Sequence, residues 1–241
     1  MASWTDLTTG RRRAAALVAH FDFAIARMRE DASWWPNTKK HSAWVLVRVR
    51  EFGPERLVKD RISREWLLRA LHEWRATRGG PIEPRRFARR LTSPGFLDAL
   101  QDARSIQLAG FDPAAHSEVV VNLFDKLDGI KESHTQLVAI SKTLYHLLPE
   151  LIVPFDGQVT CGFFNWNGLP KDVNPEWLSE VYSLLGEIAA GVGSEKLDRW
   201  GRPPWPLDPA VSTALRIGQA RVVDFGLEGY RRSRGEDWYV D

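Results

Sequence analysis

The sequence predicts an all-α protein, and three observations carry that expectation. Apolar residues recur at helical spacing through most of the 241 residues, as in Leu137, Ile140, Leu144 and Leu147. Proline or glycine punctuates the chain between these stretches, as at Gly53-Pro54, Gly79-Gly80-Pro81 and Gly110 to Pro113. Stretches with strand-like alternation are confined to Val45, Val47 and Val49, whose neighbours are helical. With 44% hydrophobic and 27% charged residues, the chain is long enough for one compact helical domain over 1–241. A division into two lobes, 1–30 with 150–241 and 31–149, is also compatible with the pattern.

In chain order, Thr8 or Thr9 is expected to cap a long helix running to about Glu30, with Arg11, Arg12 and Arg13 in its first turn. Those arginines oppose the helix dipole and are either a solvated end or a phosphate contact. Trp34 and Trp35 sit in a loop beside Lys39 and Lys40. Helices are expected over Ser42–Phe52, in a short turn near Glu55–Asp60, and from a Ser63 cap to Arg78. Pro84–Leu91 reads as a basic helix, with Arg85, Arg86, Arg89 and Arg90 around Phe87. It suits phosphate or a salt-bridged solvated face equally. Pro94–Ala103 and His116–Lys126 follow. A helix from Ser133 stops at Pro149, and Leu151–Phe155 then delivers one carboxylate, Asp156, ahead of a helix to Trp166. A residue in that setting is a helix cap or a reagent. Asn174 and Pro175 start a helix to about Ala190, and Asp208 with Pro209 is expected to start the last one, Val211 to about Arg231.

Several classes are disfavoured. One cysteine, Cys161, rules out an internal disulfide and a cysteine zinc knuckle. No HExxH, Ser/His/Asp pattern, phosphate-binding loop or metal-ligand cluster is present, so no metal and no cofactor is expected. No apolar run nears the roughly 20 residues that span a bilayer, and no signal-peptide core opens the chain. A cytoplasmic protein without a membrane partner is the expectation. The net charge of +2 places any nucleic-acid surface in local clusters.

Leu127-Asp128-Gly129-Ile130, the helix from Ser133, and Val153-Pro154-Phe155-Asp156-Gly157-Gln158-Val159 together resemble the helix–hairpin–helix DNA glycosylase superfamily. The likeness covers about 35 residues. Asp128 stands where that family has proline, Lys131 or Glu132 replaces its second hairpin glycine, and the spacing to the aspartate is longer. The resemblance implies a partner, double-stranded DNA, and an activity: hydrolysis of the N-glycosidic bond of a damaged or modified base, in base excision repair. Asp156 would be the catalytic carboxylate. Gly129, Ile130, Lys131, Ser133, His134 and Lys142, with the four arginines, would contact DNA, and Tyr145 and Trp166 would line the base pocket. Thr135, Gln136 or Val138 stands where bifunctional members carry a lysine, which implies a monofunctional enzyme. Two other readings stay open: a non-catalytic DNA-binding relative and a helical protein-interaction module.

Overall fold

Proline sets many of the helix starts. Pro54, Pro84, Pro94, Pro113 and Pro175 each occupy the first helical position, where the missing N–H is no loss. The side chains of Glu83, Asp112 and Asn174 accept the amides that remain in three of these helices. The computed structural model describes residues 7–29, 40–133, 135–202 and 216–240. Among them thirteen α-helices and one 3₁₀ turn form, and no strand.

The helices are α1 (Thr8–Ala19), α2 (Phe21–Arg29), α3 (Lys40–Phe52), α4 (Pro54–Lys59), α5 (Arg61–Glu73), α6 (Pro84–Leu91) and α7 (Pro94–Ala103). After the 3₁₀ turn Leu108–Gly110 come α8 (Pro113–Lys126), α9 (Gln136–Leu147), α10 (Val159–Phe164), α11 (Pro175–Val192), α12 (Ser194–Trp200) and α13 (Gln219–Arg232). The all-α expectation holds. The single first helix does not: the chain breaks at His20 (φ −117°, ψ 25°). That bend lets α2 lay Phe21 and Ala24 against Gly226 and Gly229 of α13. Asp60, not Ser63, caps α5, accepting the Ser63 amide at 2.7 Å. That helix ends at Glu73, five residues short of Arg78, with Arg75 in the left-handed region (φ 54°) and the Ala76 amide reaching back to Leu71 O. The last helix begins at Gln219 rather than Val211. Asp208 and Pro209, like Trp34 and Trp35, lie outside the described residues.

One hydrophobic core runs through the described chain. At its centre is α9, in which every residue except Val138 is buried. An exposed face carrying Lys142 and Tyr145 is therefore absent, because neighbours close on α9 from all sides. Its polar groups find internal partners. Ser141 Oγ accepts the Phe155 amide at 2.9 Å, and Ser42 Oγ lies 2.8 Å from His146 Nε2. The crossing segment Leu151–Phe155 is wholly buried, with the Phe155 ring against Phe124, Trp177 and Tyr182. Glu150, at its start, accepts the Gln219 amide at 3.0 Å and the Arg216 guanidinium at 3.1 Å, which fixes the start of α13.

Candidate functional site

Pro154 cannot continue a helix, and Phe155 is anchored in the core, so the chain leaves the interior at Asp156. Oδ1 of Asp156 accepts the Gln158 amide at 2.9 Å and the Val159 amide at 3.5 Å, capping α10. Oδ2 faces Lys142 Nζ at 3.6 Å. Asp156 thus caps through one oxygen and pairs with Lys142 through the other. The Asp156 side chain is 43% exposed, against 8% for Lys142. Burial opposes ionisation of Asp156, but the Lys142 charge and the two amides outweigh it and hold the carboxyl below the usual carboxylate range. Burial lowers Lys142 as well, with Asp156 pulling the other way. The pair is unequal because the ammonium is the deeper partner and loses more hydration.

Lys142 Nζ donates to Trp74 O at 2.9 Å. The same turn receives a second buried lysine: Lys131 Nζ donates to Ala76 O at 2.8 Å, to Arg78 O, and to Thr135 Oγ1 at 2.7 Å. The turn that closes α5, with Arg75 in the left-handed region, presents the carbonyls that hold both cations. Lys131 has three acceptors, so it is a structural tie rather than a DNA contact. Lys142 is likewise an internal ion-pair partner and not a surface one.

The hairpin keeps its glycine turn, Gly129 having φ 78°. Its amides point inward, however. The Gly129 N–H goes to Gln136 Oε1 at 2.8 Å, and Gln136 Nε2 goes to Asp128 Oδ1 at 2.6 Å. The Ile130 amide donates to Leu127 O, its side chain is buried, and Ser133 bonds Thr135. A phosphate nest of hairpin amides, expected at Gly129, Ile130 and Ser133, is therefore filled by the protein itself. His134 lies outside the described residues.

Beside the hairpin runs α6. Arg86 Nη1 reaches Gly129 O at 3.4 Å and pairs with Glu132. Arg90 Nη2 is 3.5 Å from where a Cβ on Gly129 would stand. Arg85, Arg89 and Arg90 are exposed and form no ion pair with a described residue. Both expected pocket aromatics are enclosed. Tyr145 lies against Trp74 and His146 with no exposed surface, and Trp166 stacks on Phe164 at 4.3 Å.

Sequence reasoning missed Arg221 and Asp224 of α13. Asp224 is buried and paired with Arg221, whose guanidinium lies 4.5 Å above the Trp74 ring. Burial pushes the Asp224 carboxyl up to about 6. A lone acid among Val222, Val223 and Phe225 was the available signal. Ser42 and His146 are wholly buried, and burial pushes the Cys161 thiol up to about 11. Among the described residues no group of three or more His, Cys, Asp or Glu residues could hold a metal, and no helix is long and apolar enough to cross a membrane. Comparison with protein-family models, curated proteins and solved structures gives no match in any of the three.

Proposed function

We propose that the chain binds duplex DNA and hydrolyses the N-glycosidic bond of a damaged or modified base, with Asp156 as the catalytic carboxylate. The observation that carries the reading is the split use of Asp156. Oδ1 is fixed by two backbone amides, while Oδ2 faces Lys142 and the ionised side chain is 43% exposed. As the bond from sugar to base breaks, its electron pair leaves with the base and positive charge grows on the sugar. A carboxylate already fixed in place stabilises that charge without reorganising. Water then adds to the sugar carbon, and the proton it gives up passes to the departed base. The duplex is engaged electrostatically by Arg85, Arg89 and Arg90, which stand free beside the hairpin, and the target nucleotide is turned out of the stack.

The enzyme is monofunctional on this reading. An amine nucleophile must be neutral and within reach of the sugar, whereas the Lys142 ammonium is 8% exposed and bonded to Trp74 O. Incubation with duplexes bearing a panel of modified bases, followed by alkali, tests the proposal. Strand breaks that appear only after alkali support it, and intact strands across the panel refute it. A second reading, a non-catalytic DNA-binding relative, is favoured by the capping bonds of Asp156 and predicts salt-sensitive binding without any base release.

A further inference from the structure

We propose that Asp224 is a positioning residue for the Lys142–Asp156 pair, fixing the Lys142 ammonium at one remove through the Arg221–Trp74 stack. The inference rests on the reading of Asp156 as the reactive group. In α13, Arg221 and Asp224 lie one turn apart and pair through Oδ2. Both are withdrawn from solvent, with side chains 13% and 5% exposed. The Arg221 guanidinium is sandwiched 4.5 Å from the Trp74 ring and 4.4 Å from the Phe225 ring. Trp74 is also the residue whose carbonyl takes the Lys142 hydrogen bond. One continuous run of contacts therefore joins Asp224, Arg221, Trp74, Lys142 and Asp156.

The valences at both ends of that run are incomplete. Asp224 Oδ1 is fully buried and has no hydrogen-bond partner among the described residues. A native interior rarely leaves a carboxylate oxygen so. Lys142 carries three N–H donors, of which Trp74 O takes one, and Asp156 Oδ2 at 3.6 Å is an ion-pair distance rather than a short hydrogen bond. The Lys142 ammonium and the Asp224 carboxylate carry opposite charges at the two sides of the Arg221–Trp74 stack. The charges acting on Asp224 are Arg221 and Glu228 of its own helix, Lys142 of α9 and Asp156 ahead of α10. Tyr145 of α9 also feels the Asp224 charge, and α10 supplies no ionisable group but Cys161. Burial raises the Asp224 carboxyl to about 6, so its charge switches near neutrality while Asp156 remains ionised.

The test is a carbon-13 NMR titration of the full chain, following the Lys142 Cε and the Asp156 carboxyl in the wild type, Asp224→Asn and Asp224→Glu. Loss of the Asp224 charge is expected to lower the Lys142 midpoint by roughly one unit or more, with recovery in Asp224→Glu. In the wild type, Lys142 Cε should show a step at the Asp224 midpoint. An Asp224→Asn protein whose melting temperature changes while Lys142 titrates as before overturns the proposal, because a merely structural carboxylate would behave so. If Asp224→Asn does not fold, the wild-type step alone decides: its absence overturns the proposal. Base release is scored separately. Titrations as expected with no base released refute the glycosidase reading alone. Base release with an unlinked Lys142 refutes this inference alone.

Discussion

Gly229→Ala tests how α13, and with it Asp224, is seated. A Cβ on Gly229 would stand 2.0 Å from Ala24 O and 2.5 Å from Ala24 C, both backbone atoms of α2. Ordinary non-bonded contact needs about 3.5 Å, so α2 and α13 must part by roughly 1 Å or more. No side-chain rotation relieves a clash with backbone, which puts the change at the upper end of overpacking costs, about 3 kcal/mol. Alanine recovers about 1 kcal/mol of helix propensity, leaving a net loss of about 2 kcal/mol. For a domain of this size that lowers the melting temperature by about 4 to 8 °C. Differential scanning calorimetry reads it directly. Gly157→Ala is the control: nothing lies within 4 Å of its Cβ, so its melting temperature should stay within about 2 °C of wild type. A Gly229→Ala protein as stable as that control would refute the close crossing of α2 and α13.

Three further outcomes follow from the same geometry. The Asp224 carboxyl moves from 3.8 to about 6 on folding, so the native state holds its proton more tightly. Stability from this group is complete below pH 4 and lost as pH rises through 6. Asp224→Asn does not titrate, so urea unfolding should show the variant gaining up to about 3 kcal/mol on the wild type between pH 4 and 7. A constant gap contradicts the assignment. Arg85→Ala, Arg89→Ala and Arg90→Ala combined should weaken duplex binding and lower the salt slope by about 2 to 3, whereas an unchanged slope removes α6 from the interface. Gln136→Ala should strand the Gly129 amide at a cost of about 1 to 2 kcal/mol, seen as faster hydrogen exchange at Gly129.

Local chemistry was readable in the sequence and long-range partnership was not. The proline-led starts of α6, α7 and α11, the glycine turn at Gly129 and the isolation of Asp156 after an apolar run are all written in neighbouring residues, whereas α8 starts at Pro113, three residues before the expected His116. The fates of Lys131 and Lys142 are not. Their acceptors at Ala76, Arg78 and Trp74 lie 53 to 68 residues away, at a helix end made by an arginine in a position where glycine is usual. Periodicity put Lys142 off the Leu137–Leu147 stripe, which implies solvent for a helix packed on one side. With α9 enclosed on all sides the same spacing leads inward. The break at His20 has no proline or glycine to mark it; it exists because Gly226 and Gly229 admit α2 at that angle. Gln136 reads as one more polar residue at a helix start, although it occupies the amide that a phosphate would otherwise take.

The most direct test of the account compares base release by the wild type and Asp156→Asn on duplexes carrying modified bases. Asparagine keeps the cap to Gln158 and Val159 but not the charge facing Lys142, so the fold survives while charge stabilisation is lost. The account predicts alkali-labile abasic sites from the wild type and a release rate lower by about 100-fold or more in the variant, measured below the variant's own melting temperature because the lost Lys142 pair costs some stability. Equal rates from the two proteins would contradict it.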